Sequence, residues 1–243
     1  MISVEDLSLA FDTGKAPLFT GLGFTVGGGE VLAVLGPNGV GKTTLLKCIL
    51  GLTTHYTGTV NAVDRIGYVP QKIFPAFEMP SVEMIVMGRM PYLGLFGLPG
   101  ADDYAIAEQI AADLGIADLL GRSFNDLSGG QKQMILIARA LCMEPAAVIF
   151  DEPMSALDYK NQDRVLSLLK TIAGQGMAVI FSTHDPTHAI HVADKTLLLK
   201  DRDVHYFGAA NDIIVDDILG DVYGMPICVH DLRDNRVVNP IYG

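Results

Sequence analysis

Between an apolar run, EVLAVLG (30–36), and a helix-forming stretch, KTTLLKCILGL (42–52), lies the loop GPNGVGKTT. Nothing else in the chain limits the fold as strongly. A G-x-x-x-x-G-K-[ST] loop works at the turn from a buried strand into a helix, where a glycine-rich backbone can wrap an anion in front of the helix N-terminus. The spacing predicts that the backbone around Gly36, Asn38, Gly39 and Gly41 cradles phosphate, with Lys42 reaching the β- and γ-phosphates. Thr43 then supplies a Mg²⁺ ligand, with Thr44 beside it in the first helical turn. A tight glycine turn at a strand–helix junction is the plainer reading; the complete motif, in context, favours a nucleoside triphosphate site.

The rest of the chain repeats the strand–helix alternation. RIGYVPQ (65–71) reads as a strand, and AAVIFDEP (146–153) and MAVIFSTH (177–184) are near-continuous apolar runs that end in polar residues. Such runs are central strands of a parallel sheet with a site at their C-terminal ends. KTLLLKD and DVHYFG read as a closing strand pair. The expected fold is α/β: a P-loop core with a mostly parallel central sheet, an antiparallel β portion and an inserted helical subdomain. A single domain is expected over 1–243, with 72–135 as the insertion. SVEMIVMGRM and DDYAIAEQIAADLGI are its helices, separated by PYLGLFGLPG. Residues 208–243 form a C-terminal extension, with a helix at ANDIIVDDIL and extended chain beyond it.

Composition narrows the partners. A net charge of −11 argues against nucleic acid, whose phosphates need clustered Lys and Arg. No apolar run reaches the roughly 18 residues of a membrane span. The opening MISVEDLSLAF has early acids and no basic segment, so no signal peptide is expected and a cytosolic location is. Cys48, Cys142 and Cys228 have no paired spacing and read as small buried hydrophobes.

Three further sites carry chemistry. Asp151, ending the strand AVIF, can hold Mg²⁺, and Glu152 can orient and deprotonate an attacking water. His184 closes VIFSTH at the same sheet edge, where it can hydrogen-bond a γ-phosphate oxygen. His184, His188 and His191 fall at i, i+4, i+7, but Pro186 starts a helix between them, so the three need not share a face and a metal site is disfavoured. In DLSGGQKQMILIARAL (126–141), Ser128 and Gln131 have capping-box spacing, and Met134, Ile137, Ala138 and Leu141 form one stripe. Gly129 and Gly130 each cost that helix roughly 1 kcal/mol relative to Ala, and they bare a positive helix end suited to an anion.

With these residues in view, the chain resembles an ABC-type ATPase over nearly its whole length. GPNGVGKTT resembles the Walker A loop, YVPQ the Q-loop with Gln71, LSGGQ the signature, VIFDE Walker B, SALD the D-loop with Asp158, and STHD the H-switch. Phe11 stands where the family places an adenine-stacking aromatic, most often Tyr. Met154 departs from the Thr that often follows the Walker B Glu-Pro. The resemblance implies a head-to-tail dimer in which Ser128, Gly129, Gly130 and Gln131 of one subunit meet the ATP on the other's Walker A loop. It implies Gln71 as a Mg²⁺ contact and as the link to the helical insertion.

VMGRMPYLGLFG and the tail ILGDVYGMPICV are similar to ATPases of importers for metal chelates, with molybdate or tungstate in one branch. Implied partners are integral membrane permease subunits, with a substrate-binding protein acting indirectly. The implied location is the cytoplasmic face of the plasma membrane, as a peripheral subunit. Tyr92, Leu93, Leu95, Phe96 and Leu98 are a candidate docking patch, or a loop that buries its own apolar side chains. The alternative function is a soluble ABC ATPase of an assembly system, such as iron–sulphur cluster assembly.

Overall fold

The structure, a computed structural model, describes residues 1–10, 16–71, 73, 77–94, 97–155, 157–233 and 235–242, with backbone alone at Asn235. The chain opens with β1 (Ile2–Leu9), β2 (Phe19–Val26), β3 (Val31–Leu35), α1 (Lys42–Ile49), β4 (Tyr56–Asn61) and β5 (Ile66–Val69). Helices α2 (Ser81–Val86), α3 (Ala101–Asp113) and α4 (Gly129–Cys142) come after them. Next are β6 (Ala147–Phe150), α5 (Tyr159–Gly174), β7 (Ala178–Thr183), α6 (Pro186–Val192), β8 (Lys195–Leu199) and β9 (His205–Ala209). The chain ends in α7 (Ala210–Ile213), α8 (Asp216–Tyr223), β10 (Ile227–Leu232) and β11 (Asn235–Pro240).

The central sheet has the order β5-β6-β7-β3-β8-β9, parallel except for the edge strand β9, which returns antiparallel along β8. A second, antiparallel sheet has the order β2-β1-β4. The continuous apolar strands are explained by two cores, one on each face of the central sheet. Val31, Ala33 and Leu35 of β3, with Val148, Phe150, Val179 and Phe181, face the helices of the insertion and of the C-terminal half. Leu32 and Val34, with Ala147, Ile149, Ala178 and Ile180, face α1 and the antiparallel sheet. A strand buried on both faces favours apolar residues at successive positions, and each large apolar side chain removed from water contributes roughly 1.5–3 kcal/mol.

Between β5 and β6 the chain builds the helical region. Helix α4 lies against α2, α3 and β5, and it runs unbroken through residue 135. That sandwiched position buries Gln133 to Ala138 together, so its apolar surface is wider than the single stripe the sequence suggested. Helix α2 is shorter than SVEMIVMGRM implied. It stops at Val86 and tightens into a 3-10 turn over Met87–Tyr92, which contains Pro91. Gly88 touches the Arg139 carbonyl so closely that a Cβ there would collide with it. Arg89, buried, then binds Asp103 (3.1 Å), Glu144 (3.0 Å) and the Cys142 carbonyl (3.0 Å). This fastens the 3-10 turn to α3, to the end of α4 and to the loop that leads into β6.

The tail also differs from expectation. ANDIIVDDIL is two helices, α7 and α8, broken at Ile214–Val215. Asp216 and Asp217 sit in the first turn of α8, where carboxylates favour a helix start, and Asp216 accepts a bond from the Val229 N–H (2.8 Å). Beyond α8, strands β10 and β11 pair as an antiparallel hairpin.

Candidate functional site

The sheet order brings four strand ends side by side. The C-terminal ends of β5, β6, β7 and β3 deliver Gln71, Asp151–Glu152, His184 and the Gly36–Gly41 loop to one edge, where parallel sheets place ligands. The loop needs glycine for two distinct reasons. Gly36 has φ 151°, and a Cβ there would sit 2.5 Å from the Leu199 carbonyl oxygen; Gly41, at φ 111°, caps α1 and backs onto Leu18. The first turn of α1 holds no acidic residue, although the chain carries 28, so its N-terminal dipole stays positive. Lys42 is only 5% exposed and donates to the Gly36 (2.8 Å) and Pro37 (3.1 Å) carbonyls. Burial holds its ammonium below the ordinary lysine pKa, against the opposing pull of Glu152.

Behind the loop, Asp151 is almost fully buried. Its Oδ1 accepts from Thr43 Oγ1 (3.1 Å) and from Ser182 Oγ (2.7 Å). Tyr68 lies nearby, its phenol pushed up to about 12 by burial and then by the Asp151 charge. Glu152 takes a left-handed backbone, φ 45°, which is unfavourable for a residue with a Cβ. Its N–H is held by Ser182 Oγ (2.8 Å), and its carbonyl accepts from Ser155 N (3.1 Å). The carboxylate is thereby aimed into the site, where Oε1 lies 3.3 Å from Lys42 Nζ. Oε2 lies 3.4 Å from both Gln71 Nε2 and His184 Nδ1. His184 is half exposed, so its ring faces the open side of the site.

A second group lies apart from the first. Ser128 caps α4, with its Oγ accepting from Gln131 N (3.4 Å) and its N–H donating to Gln131 Oε1 (3.0 Å). Helix α4 likewise has no acid in its first turn, and Ser128 and Gly129 are exposed. Asp158 caps α5 through the Asn161 N–H (2.9 Å) and also binds the Asn161 amide (2.8 Å). That amide rests against Gly130, where a Cβ would fall 2.9–3.1 Å from its atoms. One of the two glycines therefore has a steric reason inside the subunit, beyond the baring of a helix end. Among the described residues no hydrogen bond or ion pair joins this group to the Lys42–Glu152 group.

Other expectations resolve residue by residue. Phe11 lies outside the described residues, as do Leu95 and Phe96. Leu98 is 87% exposed and Tyr92 is 41% exposed, but Tyr92 also makes contacts within the subunit. Its ring lies under the Arg89 guanidinium (4.1 Å), and its hydroxyl accepts from Arg65 (2.7 Å) and donates to the Met143 carbonyl (2.9 Å). His188 is buried against Thr183 Oγ1 (3.0 Å). Cys48 and Cys142 are buried, their thiols raised to about 11, chiefly by desolvation. Two site residues escaped the sequence reading. Ser182 carried a signal, being the polar interruption in VIFSTH. Asn161 carried none, because its contact with Gly130 joins two different helices.

Comparison with known proteins bears on this geometry. The family model described as ABC transporter matches residues 19–155. The molybdate import ATP-binding protein MolC of Haemophilus influenzae is 40% identical over 93% of this chain and 89% of its own length. The manganese transport system ATP-binding protein MntB of Bacillus subtilis is 30% identical over 92% of each. A solved inward-facing structure of a proposed metal-chelate type ABC transporter superposes with a TM-score of 0.93. It is 37% identical and covers 99% of this chain and 97% of that one. ATPases of ABC importers work as dimers with membrane permease partners. Among the described residues no helix is long and apolar enough to cross a membrane. The chain belongs to the ABC transporter family, as an ATP-binding and ATP-hydrolysing subunit.

Proposed function

We propose that two copies of this subunit, arranged head to tail on the cytoplasmic face of a plasma membrane, drive a permease that imports a metal oxyanion or a metal chelate. The observation that carries the catalytic part is the convergence of Lys42, Gln71 and His184 on the Glu152 carboxylate at one sheet edge. Backbone N–H groups from Gly36 to Gly41 and the first turn of α1, with Thr44, bind the triphosphate. Lys42 exchanges its carbonyl partners for phosphate oxygens. Phe11 stacks on adenine. The hydroxyl of Thr43 and the carboxylate of Asp151, 3.1 Å apart, are hard oxygen donors that fit Mg²⁺, and with the Gln71 amide they would hold it. Bound there, Mg²⁺ supplies charge neutralisation on the phosphates. Glu152 orients and deprotonates water for in-line attack, and His184 donates to the γ-phosphate oxygen that gathers charge.

Ser128, Gly129, Gly130 and Gln131 serve the partner's nucleotide, and Asp158 lies at the seam between subunits. Residues 72–135 act as a helical arm that carries closure to the permease, with Gln71 as its link to the site. Residues 208–243 extend the core, and a substrate-binding protein delivers cargo from the far side. Support for the cargo class comes from the relative that serves molybdate import and from the metal-chelate type transporter structure. Glu152→Gln tests the catalytic assignment. It keeps ATP binding, lowers phosphate release about 10²–10⁴-fold and accumulates an ATP-bound dimer. Brisk turnover would remove Glu152 from its role. Co-purification with soluble assembly factors, instead of a permease, would replace the importer reading.

A further inference from the structure

The C-terminal extension reaches the H-switch through one side chain. Tyr223, the last residue of α8, donates its hydroxyl to the backbone carbonyl of His184 at 2.9 Å. We infer that Tyr223 is a positioning residue for hydrolysis, which fixes the backbone that aims the His184 imidazole at the reacting phosphate. The inference rests on the reading of His184 as a γ-phosphate contact.

The geometry leaves His184 little else to hold it. Its ring is half exposed, and among the described residues its one hydrogen-bond or ion-pair contact is Glu152 Oε2 at 3.4 Å. Its backbone is pinned from two sides. On the sheet side, the Asp185 N–H donates to Thr183 Oγ1 (3.1 Å), and Asp185 caps α6 through the Thr187 N–H (2.8 Å). On the other side stands Tyr223. That residue is itself anchored, because α8 is tied to β9 and to the end of β8 through Asp221, which accepts from Lys200 (2.6 Å) and from Tyr206 (3.1 Å). Leu219 and Val222 bury the apolar face of the same helix. Burial, and then the Asp185 charge, raises the Tyr223 phenol well above its ordinary pKa, so it stays a donor across the working pH range. A donor locked to the carbonyl of a half-exposed histidine restricts rotation of the peptide plane, and with it the direction of Cα–Cβ.

Tyr223→Phe removes the hydroxyl and keeps the ring. Losing one neutral hydrogen bond that matters in the transition state lowers kcat about three- to tenfold. KM for ATP stays within about twofold, because the phosphate loop is untouched. A comparison variant, Val222→Ala, trims the same helix, lowers the melting temperature and leaves kcat unchanged. In the full-length chain with ¹⁵N-labelled histidine, the His184 imidazole signals, assigned by their loss in His184→Ala, shift in Tyr223→Phe while those of His191 do not. Unchanged kcat or an unmoved His184 signal in Tyr223→Phe overturns the inference. So does an equal loss of kcat in Val222→Ala, which would mean general loosening. A fully active His184→Ala would instead overturn the reading of His184 beneath it.

Discussion

Gly130→Ala separates two reasons for a glycine in the first turn of α4. In an ordinary helix this change stabilises by up to about 1 kcal/mol. Here the added Cβ falls 2.9 Å from Asn161 Cγ and 3.0 and 3.1 Å from its amide oxygen and nitrogen. That amide cannot simply swing aside, because its Nδ2 donates to the Asp158 carboxylate at 2.8 Å. Displacing it loses a charge-assisted bond of about 1.5–3 kcal/mol. The opposed terms leave the variant about 1 kcal/mol less stable, a fall of about 2–4 °C for a chain of this size. In an Asn161→Ala background the obstacle is gone, and Gly130→Ala becomes stabilising by about 0.5–1 kcal/mol. Urea denaturation of the four proteins, with unchanged slopes, measures the coupling directly, and it should be about 1.5–3 kcal/mol. Equal shifts in both backgrounds, within about 0.5 kcal/mol, would refute the steric argument.

Ser128→Trp should leave nucleotide binding to the single subunit intact and block ATP-driven dimerisation; normal dimers by light scattering would remove the cap from the interface. Stability should also depend on pH through His188. Burial, chiefly, lowers its pKa below 6.5, while Asp185 pulls the other way, so the unfolded chain binds more protons just below that value. Stability is then intact above pH 6.5 and falls as the pH drops towards the folded pKa. His188→Asn should flatten that slope in melting curves taken over roughly pH 5 to 8, and an unchanged slope would assign it to other groups.

The sequence made legible what is local. Continuous apolar runs ending in polar residues placed β3, β6 and β7 and the chemistry at their ends, because burial on both faces leaves a pattern that needs no partner to read. The antiparallel pairing of β1 with β2 and β4 was harder, since registers such as Val4 to Val60 join residues far apart in the chain. The break between α7 and α8 was invisible because neither Gly nor Pro marks Ile214–Val215 in the sequence. In the site, the motifs named Lys42, Asp151, Glu152 and His184. They did not name Ser182, which holds Asp151 and the strained Glu152 backbone together, or Asn161, which explains Gly130. Those are contacts between elements, and spacing within one element carries no record of them.

The central claim is that each nucleotide is served by Lys42 from one subunit and Ser128 from the other. Co-expression of a Lys42→Ala subunit with a Ser128→Trp subunit tests it most directly. Either variant paired with itself carries a lesion in both sites. A mixed head-to-tail dimer gathers both lesions into one site and leaves the other intact, so ATPase activity returns on co-expression. Activity that stays absent from purified mixed dimers would contradict the shared site.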